Sequence, residues 1–200
     1  MTAVMLPVDP HLLERDDLTV DDLVDLPDDL RYELIEGRLI LTPVGLPIHQ
    51  VLEMRVANAI EENCPDDFVV NVEQALLKNR RNEFRPDVLL LHEKGAGRSP
   101  VLPSDVPLVV EIVSESSRFT DRRQKLKWYA ELGIPAYWIV DPLAMRITLT
   151  VFRLGSDGRY RPQLQTDELV TLEEPWKVTL DLPAWTRKRD RLRAAASADV

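Results

Sequence analysis

A single carboxylate, Glu111, interrupts the apolar run LVVEIV at residues 108–113, and no other feature restricts the fold of this chain more. So apolar a run reads as a strand buried on both faces, as found inside the sheet of an α/β protein. A charge there is costly unless it is paired or bound to a metal. Strand side chains alternate, so Glu111 shares a face with Val109 and Val113. A second such run, Val88 to Leu91, follows directly on Pro86-Asp87. Two acids on adjacent strands can converge on one divalent cation, and hard cations such as magnesium take oxygen ligands. The competing readings are a turn residue at a strand edge for Asp87 and a salt bridge to a buried Arg or Lys for Glu111.

The pattern around these strands predicts a helix, three strands, a helix and a further strand, an α/β sandwich around a mixed sheet. RYELIEGRLILTP reads as an N-terminal β-hairpin turning at Glu36-Gly37. Residues 47–63 carry apolar side chains at helical spacing, and FVVNVEQALL reads as a strand with a kink. A helix is expected from Ser116, Ser117 or Thr120, each a possible cap, to about Leu132, where Gly133 stops it. AYWIVDP is another strand, and MRITLTVFRL pairs with the segment beyond the Asp157-Gly158 turn. The expected organisation is a loose arm over residues 1–18, one domain over 19–185, and a basic, mobile tail over 186–200. No stretch reaches the ~20 apolar residues of a membrane span, and the N-terminus does not read as a signal peptide. The one cysteine, Cys64, excludes an internal disulfide and a cysteine-rich zinc site, so the cytoplasm is the expected compartment.

The net charge of −9 opposes tight non-specific binding to nucleic acid, which depends on neutralising phosphates. Basic residues nevertheless cluster at Lys78, Arg80, Arg81 and Arg85, and again at Arg118, Arg122, Arg123, Lys125 and Lys127. Solvated surface is the plain reading; Arg81, Arg85, Arg122 and Arg123 are the candidate nucleic-acid contacts. On the helix after Glu111, Asp121, Lys125 and Tyr129 recur every four residues and so share one face. Lys125 either pairs with Asp121 at the surface or points toward the acids, where an ammonium could steer a water or offset developing charge. Without metal, clustered carboxylates repel, so Glu111→Gln is expected to leave stability unchanged or raised.

The ordered set RYELIEGRL, His49 in PIHQ, RPDVLLL, VVEIVSESS and DRRQKLKWYAELGIPAYWIVDP resembles the Uma family (Uma-two) of restriction-type endonucleases, within the PD-(D/E)XK superfamily. The resemblance spans residues 21–154. It implies a restriction-endonuclease-like mixed β-sheet flanked by helices. Pro86-Asp87 corresponds to the PD and Glu111 to the (D/E). Ile112 is the X, with its backbone carbonyl as a further metal ligand. The lysine position falls on Val113, a departure from the superfamily; Lys125 matches the place of a lysine on the next helix. Glu33 matches an N-terminal acid that would complete the metal shell, or else faces solvent in the hairpin. His49 matches a histidine at the start of the first long helix, or has no chemical role; His49, Asp121 and Tyr129 are accessory candidates. The activity implied is Mg2+- or Mn2+-dependent hydrolysis of DNA phosphodiester bonds, with weak, salt-dependent DNA binding by a homodimer. The alternative is a catalytically inactive nuclease-fold binding or assembly protein.

Overall fold

The computed structural model describes residues 8–27, 30–42, 45–114 and 124–198. Its frame is a six-stranded sheet built from β3 (Phe68–Val72), β6 (Val88–His92), β7 (Leu108–Ile112), β8 (Ala136–Asp141), β9 (Thr148–Leu154) and β10 (Tyr160–Thr166). The order is β10-β9-β8-β7-β6-β3. Only β7 and β8 run parallel; the other pairs are antiparallel, so the sheet is mixed. The second, four-stranded sheet joins β1 (Tyr32–Ile35), β2 (Arg38–Leu41), β4 (Leu76–Asn79) and β5 (Asn82–Phe84). The hairpin β1–β2 turns at Glu36 and Gly37, both at positive φ (53° and 83°), the backbone a tight two-residue hairpin requires.

Alternation along the central strands assigns the two faces. Val88, Leu90, Val110 and Ile112 pack with Leu52, Val56 and Ile60 of α2 (Pro47–Glu61). Covering the same face are the hairpin of β11 (Leu169–Leu172) and β12 (Val178–Asp181) and Trp185 of α4 (Leu182–Ala198). Leu89, Leu91, Val109 and Val113 face the other way. They pack against Phe84 of the small sheet and Trp128 and Tyr129 of α3 (Leu126–Glu131). α3 ends as the sequence suggests: Gly133 at φ 74° lets the Ile134 amide bond back to the Tyr129 carbonyl. The expected caps Ser116, Ser117 and Thr120 lie outside the described residues.

The strand read through residues 68–77 is divided. Glu73 takes φ 50°, and the chain leaves β3 for β4 in the other sheet. Arg31 pairs with Glu73 at this break. β9 and β10 form the expected hairpin, with a register shift between Pro162 and Leu164 on the outer strand, a device that blunts a sheet edge.

The segments over residues 8–18 and 186–198 are more structured than their composition suggests. Val8 and Leu18 are buried with Leu23, Tyr32, Leu34 and Leu39 in a third cluster, and α1 (Pro10–Glu14) lies within that segment. The boundary drawn after residue 185 falls inside α4. Asp181 caps this helix by accepting the Ala184 amide. Arg189 is 2% exposed, and its guanidinium donates to the carbonyls of Pro142, Ala144 and Met145. A charge run on a helix reads as solvated, but this arginine ties the helix to the β8–β9 connection. Among the described residues no helix is long and apolar enough to cross a membrane.

Candidate metal centre and catalytic site

The β6–β7 ladder pairs Leu90 with Leu108 and Val88 with Val110, and Asp87 stands at the bend just before β6. Glu111 leaves the sheet on the face covered by α3, while the Asp87 carboxylate reaches the end of β7 and His49 of α2. Beyond Val88 the ladder between the two strands ends. The Ile112 amide instead donates to Asp87 Oδ2 at 2.5 Å. In a strand, one residue's N–H and C=O point to the same neighbour. The Ile112 carbonyl is thus directed to the Asp87 side.

Glu111 is 2% exposed, and two donors from one turn of helix meet its Oε1. Lys125 Nζ lies 2.9 Å away and the Tyr129 hydroxyl donates at 2.6 Å. Their four-residue spacing puts both on one helical face. Burial, and then the charge of Glu111, push the Tyr129 phenol well above its usual range, so it remains a neutral donor at pH 7. Lys125 is itself 7% exposed. Its ammonium also lies 3.9 Å from Glu33 Oε1, which accepts the Arg85 amide at 3.2 Å. Glu33 therefore faces inward from the hairpin toward the lysine. Asp121, the third residue of the expected helical face, lies outside the described residues.

His49, in the first turn of α2, places Nε2 3.1 Å from Asp87 Oδ1. Burial opposes charge on this ring, but the hydrogen bond and charge of Asp87, with Glu53 and Glu73 beyond, outweigh it and raise its pKa. Glu53 is a member of this cluster that the sequence reading missed. It is 7% exposed, and burial, followed by the charges of Glu73 and Asp87, raises its pKa to about 7. The signal was present in PIHQVLE. Glu53 stands one helical turn after His49, between Leu52 and Val56 on the buried side of α2.

Among the described residues no group of three or more His, Cys, Asp or Glu is arranged to hold a metal. The oxygen donors at this end of the two strands are the Asp87 carboxylate, which meets the Ile112 amide, the carboxylate of the adjacent Glu111, and the Ile112 carbonyl. That set fits magnesium, which keeps several waters and takes one or two protein carboxylates.

The basic cluster on β4 and β5 has other commitments. The Arg81 guanidinium donates to the carbonyls of Asp16 and Glu36, at 2.7 and 2.8 Å, tying the N-terminal segment to the hairpin. Arg80 pairs with Asp21, and Lys78 with Glu131 on α3 at 2.6 Å. Arg85 lies over the Tyr32 ring at 4.7 Å, with Glu83 3.8 Å away. Tyr32 and Glu33 are consecutive on β1 and face opposite ways. The Arg85 guanidinium is thus on the other side of that strand from Lys125. Arg122 and Arg123 lie outside the described residues.

A solved structure with the same architecture is described as a "putative nuclease belonging to DUF820 from Anabaena variabilis ATCC 29413". It superposes with a TM-score of 0.62 over 86% of this chain and 99% of that one, at 18% sequence identity, a likeness of fold. No curated protein matches the chain. The model of the family described as "Uma2: Putative restriction endonuclease" matches residues 20–190, which include both strands, α3 and every acid of the site. The chain therefore belongs to the Uma2 family of restriction-endonuclease-like proteins.

Proposed function

We propose that the chain is an endonuclease that hydrolyses DNA phosphodiester bonds with Mg2+ or Mn2+. The observation that carries this reading is that two contacts on adjacent residues of β7 bring together Asp87, bound to the Ile112 amide, and Glu111, bound to the Lys125 ammonium. Asp87, Glu111 and the Ile112 carbonyl would hold the cation. Bound there, it would polarise a phosphate oxygen and lower the pKa of a coordinated water. Lys125 brings a buried positive charge to the same place, where it orients the attacking water or offsets charge growing on the phosphate. Glu33, named from sequence as a metal ligand, sits closer to the work of holding that ammonium. His49 fixes the Asp87 carboxylate from the α2 side. DNA contact is weak and salt-dependent, since the chain is acidic and Lys78, Arg80 and Arg81 have partners of their own. Arg85, Arg122 and Arg123 remain the candidate contacts. A homodimer in the cytoplasm, cutting both strands with its two sites, completes the reading.

Those commitments of the basic residues also favour the second reading, a catalytically inactive nuclease-fold binding or assembly protein. A plasmid-nicking assay separates the two. Wild type should nick in Mg2+ or Mn2+ and stop on chelation, and Asp87→Ala should be inert. A metal-saturated wild type that never nicks DNA would leave the binding protein.

A further inference from the structure

We infer that Tyr129 is a positioning residue for the cation site, and that it and Lys125 set the cation affinity of Glu111 in opposite directions. The inference rests on the proposed metal site and deepens it. Both groups meet the same oxygen, Glu111 Oε1, the hydroxyl at 2.6 Å and the ammonium at 2.9 Å. They differ in charge. An ammonium beside a carboxylate competes with any incoming cation, because like charges repel through a medium of low polarity. A hydroxyl brings a directed hydrogen bond and no net charge. It fixes the carboxylate's rotamer while leaving its charge to attract the metal. Partners of this kind, behind a metal-binding side chain, are typically worth about 10–100-fold in metal affinity.

The packing of Tyr129 suits such a role. The residue is fully buried, so its ring has no freedom to swing away. Phe84 of the small sheet meets the ring edge-on at 6.1 Å, and Tyr137 of β8 lies 5.2 Å away. The hydroxyl is thereby held from the small sheet, the large sheet and α3 at once. A buried tyrosine needs a partner for its O–H, but that need does not require the partner to be the one acid in the middle of β7.

Calorimetric titration of metal-free wild type, Tyr129→Phe and Lys125→Met with Mn2+ tests the inference. Phenylalanine keeps the ring and its packing. Tyr129→Phe should bind Mn2+ about 10–100-fold more weakly, and Lys125→Met should bind it more tightly than wild type. A loss of packing alone lowers both melting temperatures and does not send the two affinities in opposite directions. Wild-type affinity in Tyr129→Phe, or weaker binding in Lys125→Met, overturns the inference while the site itself stands. Failure of the wild type to bind Mn2+ overturns the metal site, and this inference with it. If Tyr129→Phe does not fold, the hydroxyl proton of Tyr129 is followed by NMR in the wild type during Mg2+ titration. A shift that saturates with the binding isotherm supports the role, and a resonance unmoved at saturation overturns it.

Discussion

Lys125 Nζ stands 2.9 Å from Glu111 Oε1, and both side chains are more than nine-tenths buried. This pairing reverses an expectation drawn from sequence. Carboxylates crowded together would gain from losing a charge, so Glu111→Gln reads as harmless to the metal-free fold. In the structure the same substitution removes the acid nearest the Lys125 ammonium among the described residues, Glu33 being 3.9 Å away. Breaking one side of a buried pair costs about 3–5 kcal/mol. Glu111→Gln should therefore destabilise the metal-free chain on that scale in urea unfolding, and adding Lys125→Met should recover part of the loss. Equal stability of wild type and Glu111→Gln would mean that the pair contributes nothing.

Glu53 predicts a pH dependence. Its folded pKa, about 7, lies above the ordinary carboxylate value of 4.5, so the folded state holds this proton more tightly than the unfolded chain does. Stability from this group is complete below the unfolded value and is lost as pH rises through the window from 4.5 to about 7. The loss amounts to roughly 3 kcal/mol. The groups that set it are Glu73 and Asp87, which raise the pKa, and His49 and Arg31, which lower it. Urea unfolding of metal-free protein at pH 5 and pH 8 should show this decline in wild type and a flatter profile in Glu53→Gln. Parallel profiles would remove Glu53 from the account.

DNA binding should be weak and steep in salt. Each phosphate contact contributes about 0.9 to the log–log slope on duplex DNA. Arg81 is held by two backbone carbonyls, so Arg81→Ala should lower stability through the N-terminal segment and leave that slope unchanged. Fluorescence anisotropy across a salt series reads the slope, and a fall of about one unit for Arg81→Ala would return this arginine to the interface.

What was legible in the sequence follows from how each signal arises. Asp87 and Glu111 stood out because apolar strands frame them, and the Asp87–Ile112 contact then brought them to the same end of β7. Lys125 and Tyr129 were legible as a pair because helix spacing is local. Their convergence on one oxygen depends on where α3 packs, which no local pattern encodes. The backbone partners of Arg81 and Arg189 were illegible for the same reason. A charge run has the same composition whether it meets water, phosphate or buried carbonyls, and only the tertiary fold assigns the partner. Glu53 went unseen because one acid on an apolar helix face is easily read as the edge of the stripe.

On the proposed reading, Lys125 takes the place of a lysine that the family resemblance puts on the sheet. The superfamily position falls on Val113, which is 1% exposed and packs on the face that Glu111 shares. A side chain there points at the same site, but valine neither orients a water nor offsets charge. Lys125 reaches Glu111 from α3 instead, so the ammonium is in place although the backbone that carries it differs. Lys125→Ala should lower the single-turnover cleavage rate by roughly 10²–10⁴-fold, the range for losing a positioned proton-transfer or charge-stabilising group. Adding Val113→Lys to that variant should restore part of the rate. The new lysine can be buried because Asp87 and Glu111 would pair with it, and the Val113 amide would keep its bond to the Val140 carbonyl. Cleavage by Lys125→Ala at the wild-type rate would reduce the helix lysine to a structural partner of Glu111. A folded double variant as inactive as Lys125→Ala would show that the ammonium must arrive from the helix, and that the site depends on its direction of approach as well as its charge.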